Sequence, residues 1–165
     1  MGVEIERKFL VRNDSWRALA ENRTFFRQGY MRNEEHATVR VRVAGGGAYL
    51  TLKAPRSGSD VERLEFNYDI PEEDARILLE HFCGKPQIEK YRYLVPAGNG
   101  LTWEVDEFLG ENAGLIVAEL ELPDADFPYE RPDWLGDEVT GDARYYNAML
   151  AAHPYSQWGK TVGTR

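Results

Sequence analysis

Glu4, Glu6 and Lys8 alternate along Val3-Glu-Ile-Glu-Arg-Lys-Phe-Leu-Val11, so on a β-strand all three charges project from one face. Two carboxylates then lie beside one ammonium. Like charges about 4 Å apart repel by roughly 4 kcal/mol at an effective dielectric near 20, and a divalent cation with an anionic ligand would relieve such a row. The same segregation recurs along the chain: acids pair at Glu104/Asp106 and Glu119/Glu121, bases pair at Arg40/Arg42 and Lys90/Arg92, and Lys53 adds a single cation. A sheet face open to water has no need of such sorting. Lys8, Arg40, Arg42, Lys53, Lys90 and Arg92 offer guanidinium forks and point charges suited to phosphate oxygens, and more of them than one phosphate can use. A chain of phosphates fits better. Glu4, Glu6, Glu119 and Glu121 would repel that chain unless hard divalent cations, Mg²⁺ or Mn²⁺, lay between. The chemistry this set points to is metal-assisted phosphoryl transfer to water.

The elements that must carry these residues are short and alternating. After the first strand, Asn13 or Asp14 caps a short helix through about Glu21, and residues 24–32 read as a second strand. Thr38–Val43 sets Val39, Val41 and Val43 against Arg40 and Arg42, and Gly45-Gly46-Gly47 turns the chain into Tyr49–Ala54, with Leu50 and Leu52 against Thr51 and Lys53. Arg63–Ile70 alternates next, and Pro71-Glu-Glu-Asp opens a helix that stops at Gly84. Ile88–Val95, Leu101–Phe108 and Leu115–Leu122 complete eight strands, with Asn99-Gly100 as a turn. Residues 123–141 read as an irregular connection, residues 143–152 as a third helix capped by Asp142, and residues 154–165 as a loose tail. The expected fold is therefore α+β: an eight-stranded antiparallel barrel with a charged lumen, its apolar alternate residues facing outward beneath three helices. Arg7 has the outward parity of the first strand, and Arg63 is a candidate for the tunnel mouth.

Composition narrows the class. The 165 residues, 42% hydrophobic, suit one domain over residues 1–153 with a sizeable core. The single Cys83 excludes an internal disulfide framework and lacks zinc-ligand spacing, so a reducing cytoplasm is the expected compartment. No apolar run approaches a membrane span. A net charge of -8 excludes a general nucleic-acid surface, and Tyr91, Tyr93 and Trp103 lie opposite the cations, unlike a barrel that stacks bases beside its basic face. His36, His81 and His153 are dispersed and carry no assigned role. A monomer or homodimer acting on a small molecule is expected.

With those residues in place the chain resembles the CYTH superfamily, the triphosphate tunnel metalloenzymes, whose hallmark is an N-terminal ExExK strand, here Glu4, Glu6, Lys8. The likeness continues through Arg40-Val-Arg42, Thr51-Leu-Lys53, Glu89-Lys-Tyr-Arg92, Trp103-Glu-Val-Asp106, Ala118-Glu-Leu-Glu121 and Glu138–Tyr145. It implies a barrel open as a tunnel, with a C-terminal helix plugging one side. It implies Glu4, Glu119 and Glu121 as the main metal ligands with Glu6 beside them, Asp106 as a further ligand, and Glu65 and Glu104 as acidic support. Lys8, Arg40, Arg42, Lys53, Lys90 and Arg92 would clamp the triphosphate, joined by Arg144 from the plug helix. Two departures from the pattern stand out: Asn67 stands where some relatives have an acid, and Ala143 and Tyr146 stand where some have lysines. The implied activity is hydrolysis of the terminal phosphate of a triphosphate, inorganic tripolyphosphate first. Adenylyl cyclase, thiamine or nucleoside triphosphatase, and a polyphosphate-binding module without turnover are the alternatives.

Overall fold

The computed structural model describes residues 2–34, 37–56 and 62–159, with side chains from residue 5 onward. Eight antiparallel strands run β1 (Gly2–Val11), β2 (Asn22–Glu34), β3 (Ala37–Ala44), β4 (Gly47–Pro55), β5 (Glu62–Asp69), β6 (Ile88–Gly98), β7 (Leu101–Phe108) and β8 (Ile116–Glu121). Their spatial order is β5-β4-β3-β2-β6-β7-β8-β1, and pairing of β1 with β5 closes the barrel. Two tight turns are set by residue type. Gly45 and Gly46 take φ of 58° and 82°, and Asn99 and Gly100 take 54° and 76°, the left-handed pair that two-residue hairpins require.

A ninth strand, β9 (Leu135–Glu138), lies inside the segment expected to be irregular. It forms because β1 has an edge to spare: Gly2–Ile5 pair with β5, and Phe9 and Val11 then pair with Leu135 and Glu138 on the same side. Four residues with only Leu135 buried carry too little alternation to announce a strand. The chain leaves β9 directly into the plug, where the expected single helix is a 3₁₀ turn (Ala143–Tyr145) followed by α2 (Asn147–Ala152).

The covering of the barrel differs from the expected arrangement of apolar residues under three helices. Trp16, Trp103, Trp134, Phe9, Val105 and Leu120 form a cluster on the outer face of β1, β6, β7 and β8, covered by the 3₁₀ turn Ser15–Leu19 and the 123–135 connection. A helix covers the outside only over β3 and β4, where α1 (Glu72–His81) lays Ala75 and Leu79 on Val41 and Ala48. Gly29 allows α1's end to approach this closely, since a Cβ there would stand 2.9 Å from the Cβ of Cys83. Among the described residues no such cover lies over Leu52 at the far end of β4 or over Phe66 and Tyr68 on β5, and all three are exposed.

α2 sits at one end of the lumen instead. Leu10, Tyr30, Ile88, Phe108 and Val117 have the inward parity of their strands, yet they are apolar and cluster with Tyr145 and Leu150. The lumen is therefore charged through its middle and dry at the plugged end. The expected loose tail begins inside this cluster: Pro154 is buried, and Trp158 meets Tyr145 and Tyr155 edge-on at 5.2 and 5.0 Å. Residues 160–165 lie outside the described residues. No described helix is long and apolar enough to cross a membrane.

Because Leu150 is fully buried in the plug cluster, Leu150→Ala is expected to cost about 3 kcal/mol of unfolding free energy through lost transfer energy and a cavity. Urea denaturation measures it; a loss below about 1 kcal/mol would show that the plug does not support the barrel.

Candidate functional site

The lumen divides into two halves that differ in how their charge is compensated. On β1, β6, β7 and β8, cations and acids meet directly. Register sets Lys8 opposite Glu119, Glu119 opposite Glu104, and Arg92 opposite Asp106. Lys8 Nζ is 3.3 Å from Glu119 Oε2. Arg92 donates to both oxygens of Asp106, at 2.8 and 2.9 Å, and its remaining donors reach Glu104 at 3.3 Å and Glu119 at 3.5 Å. Lys90 Nζ donates to Asp106 Oδ2 at 2.7 Å and to Asn147 Oδ1 at 3.0 Å.

Burial alone would raise the pKa of Glu119, but Lys8, Arg92 and Lys90 outweigh it and hold the carboxyl far below its ordinary range. Asp106 is also lowered, by Arg92 and Lys90 against its own burial. Lys90 moves the other way. Burial pushes its ammonium down to about 7, with Arg92 and Arg42 adding repulsion that Asp106 only partly offsets.

On β2, β3 and β4 the compensation is missing. Arg40 and Arg42 are turned inward, and neither forms a salt bridge with a carboxylate among the described residues. Their partners are neutral. Arg42 Nε donates to Gln28 Oε1 at 2.8 Å, Arg40 donates to Thr51 Oγ1 at 3.2 Å, and Thr51 in turn donates to Asn67. Arg40 Nε is buried without a hydrogen-bond acceptor among the described residues. Burial holds the pKa of Arg42 well below the usual guanidinium range, and Arg40 and Arg92 lower it further. Phe26 lies among these cations, its ring 4.6 Å from Arg42 Cζ, 4.9 Å from Arg92 Cζ and 5.6 Å from Lys90 Nζ. Lys53 faces the same lumen but is 3.5 Å from Glu65.

Most residues singled out from sequence share this lumen, with three qualifications. Asp106 is not placed as a metal ligand: it is fully buried and both oxygens are occupied by Lys90 and Arg92, so it anchors cations. Arg144 is turned away from the lumen, exposed and bound to Asp142 at 2.7 Å, because the chain at 143–145 is a 3₁₀ turn whose Asp142 cap captures it. Glu4 pairs through its backbone with Arg63, and its side chain lies outside the described residues. Sequence reasoning missed Phe26 and Gln28, for which the inward parity of β2 was the available signal. It also missed Asn147, whose contact with Lys90 depends on the plug's position, and it named Tyr146 only as a departure at a position where some relatives have a lysine.

The acids fit a hard divalent cation of a particular kind. Glu6 stands opposite Glu121, and Glu104 opposite Glu119, so two like-charged cross-strand pairs adjoin in the lumen. Burial raises the Glu104 carboxyl, opposed by Arg92 and reinforced by Glu119 and Asp106. No three acids among the described residues converge closely enough to form a closed cage. Carboxylates paired in this way could hold a hard divalent cation whose remaining positions take water or phosphate oxygens.

Residues 2–150 match the CYTH domain. The chain belongs to the CYTH family. It is similar to the inorganic triphosphatase of Acetivibrio thermocellus, with 49% identity over 158 residues covering 96% of this chain and 99% of that protein. It is also similar to the inorganic triphosphatase of Nitrosomonas europaea, 34% identical over 152 residues, covering 90% and 97%. Among solved structures, that of the inorganic triphosphatase NE1496 superposes with a TM-score of 0.62 at 32% identity, covering 92% of this chain and 95% of that one. This CYTH chain thus shares its barrel and most of its length with proteins of that name.

The contrast between Asp106 and Glu119 is testable. Asp106→Asn leaves two buried cations short of a counter-charge, so a stability loss of about 3 kcal/mol in urea denaturation is expected, with Mn²⁺ affinity retained. Glu119→Gln is expected to weaken Mn²⁺ binding, read by calorimetry, and to cost some stability as well, because Lys8 and Arg92 lose a counter-charge. The opposite pattern would make Asp106 the metal ligand.

Proposed function

We propose that this CYTH protein is a divalent-metal-dependent triphosphatase that removes the terminal phosphate of inorganic tripolyphosphate. The observation that carries the reading is the pair Arg40, buried in the lumen with an orphaned Nε, and Arg42, half-buried beside it, both with neutral partners among the described residues. Buried cations without a counter-charge are costly, and a polyanion in the lumen supplies it. The names of the two curated relatives agree with this substrate.

In this reading Arg40, Arg42 and Lys53 hold phosphate oxygens from one side, and Lys8, Lys90 and Arg92 from the other. Glu6, Glu119 and Glu121, with Glu4, would hold Mg²⁺ or Mn²⁺, and Glu65 and Glu104 support the charge balance. The cation supplies Lewis-acid neutralisation of phosphoryl oxygens. Water attacks the terminal phosphorus, a new P–O bond forms, the bridging P–O bond breaks, and its electron pair remains on pyrophosphate. The guanidinium groups stabilise that developing charge. They are already oriented, Arg92 by Asp106 and Arg42 by Gln28, so little reorganisation accompanies the step.

Among the described residues, the cleft beside the lumen's acids Glu104 and Glu121 carries no aromatic surface for a base, which favours an undecorated triphosphate. A cleft of about 310 Å³ beside Glu104 and Glu121 is lined by Gly100, Leu101, Thr102, Leu122 and Pro123, which offer no ring on which a nucleobase or thiazole could stack.

With Mg²⁺ or Mn²⁺, tripolyphosphate is expected to yield equal phosphate and pyrophosphate, and EDTA to abolish the reaction. Cyclic AMP with pyrophosphate from ATP would replace the hydrolase with a cyclase, and metal-dependent binding without turnover of any triphosphate would leave a binding module. Arg42→Ala should lower kcat/KM at least tenfold, a transition-state loss of about 1.4 kcal/mol or more. Unchanged kinetics would remove Arg42 from the clamp.

A further inference from the structure

Three consecutive residues of the plug touch three cations of the lumen. Tyr145 accepts a hydrogen bond at its carbonyl from Lys8 Nζ at 3.4 Å, and Asn147 accepts one from Lys90 Nζ at 3.0 Å. Between them the ring of Tyr146 lies 5.2 Å from Lys8 Nζ and 4.5 Å from Arg63 Cζ. Arg63 is placed inward by its register opposite Glu4 on β1, and its charge acts with burial against the Glu119 and Glu6 carboxylates, which together hold the Lys8 ammonium above its ordinary pKa. Two like charges therefore share one aromatic ring.

All three plug groups are neutral. A carboxylate can hold lumen cations together, but it repels an incoming phosphate. A ring quadrupole and a carbonyl dipole attract the same cations and add no net negative charge. The plug is also firmly placed: Tyr145 is buried against Trp158, Leu150 is fully buried, and Arg144 stacks over Tyr145 and Trp158 while paired to Asp142. Tyr146, half-buried between the 3₁₀ turn and α2, inherits that rigidity.

We propose that Tyr146 is a positioning residue that seats Lys8 and Arg63 for phosphate binding, and that Arg63 belongs to the phosphate-binding set. This rests on the reading of the lumen as a triphosphate site. The role is one of orientation in the ground state, so it should appear in KM more than in kcat.

The test compares Tyr146→Phe, Tyr146→Leu, Arg63→Gln and the Leu/Gln double variant by steady-state kinetics with tripolyphosphate, alongside calorimetric binding of tripolyphosphate in EDTA and thermal denaturation. Tyr146→Leu is expected to raise KM about tenfold and change kcat less than threefold, since the ring's hold on two cations is lost. Tyr146→Phe keeps the ring and should restore KM to within twofold of the wild type. The double variant should fall well short of the product of the two single effects, because Tyr146 acts in part through Arg63 and in part through Lys8. An unchanged KM in Tyr146→Leu, equal damage in Tyr146→Phe, or losses that multiply in the double variant would overturn the role. Should Tyr146→Leu fail to fold, Arg63→Gln still decides: unchanged binding in EDTA excludes Arg63 from the set and overturns the proposal. A wild type that neither binds nor cleaves tripolyphosphate overturns the functional reading and this role together, whereas loss of this role alone leaves wild-type turnover intact.

Discussion

Charge inside a closed barrel must balance locally, because the strands admit little water to screen it and the side chains have nowhere else to point. Alternation forces every second residue of each strand inward, so a row such as Glu6 and Lys8 on β1 or Arg40 and Arg42 on β3 cannot be relocated without changing the register of a whole strand. The chain meets the constraint in one half of the lumen and leaves it open in the other. Where β1, β6, β7 and β8 meet, cations and carboxylates form one connected set centred on Asp106 and Glu119. Where β2, β3 and β4 meet, arginines face an amide, a hydroxyl and a ring. The imbalance is local and positive even though the protein carries a net charge of -8.

The second organising feature is the divided edge of β1. One side of the strand pairs with β8 over residues 6–10, and the other is shared between β5 near its start and β9 near its end. Both ends of the sequence therefore meet on one strand. The strand that supplies Glu6 and Lys8 also fixes where the chain must emerge to form the plug, with Val139 N donating to Lys8 O and Lys8 N donating to Thr140 Oγ1. Plug and clamp are joined at Lys8, and the distance between them is set by hydrogen bonds rather than by a long loop.

What sequence could disclose follows from this geometry. Period-2 alternation is a local property, so the eight barrel strands, both tight hairpins and the inward parity of Lys8, Arg40, Arg42, Lys53, Lys90, Arg92, Glu104 and Glu119 were legible. Three kinds of feature were not. β9 exists because an edge of β1 is vacant, which is a tertiary fact, and its four residues carry almost no pattern of their own. The apolar layer of Leu10, Ile88, Phe108 and Val117 continues the inward faces of charged strands, so charge parity in the middle of each strand gave no warning that its end turns dry. Arg144 looked like a lumen residue because a continuous helix would have carried it inward; the 3₁₀ turn and the Asp142 cap send it out. Roles that depend on which side chains meet across the barrel, such as those of Phe26, Tyr146 and Asn147, require the fold itself.

The two central carboxylates show how geometry separates roles that residue type leaves equal. Asp106 is wholly buried and receives short bonds, 2.7 to 2.9 Å, at both oxygens from two cations. Removing it would strand both, and a metal could reach it only by displacing them. Glu119 holds its cations at 3.3 and 3.5 Å and stands opposite Glu104, whose carboxyl burial keeps above its ordinary pKa. Its ties are longer and its neighbour is a like charge, so exchanging Lys8 and Arg92 for a divalent ion relieves repulsion as well as forming bonds. Lys8 and Arg92 would then turn to phosphate. In the proposed reading, an acid that holds the cations in place until a metal binds would account for carboxylates in a polyanion site.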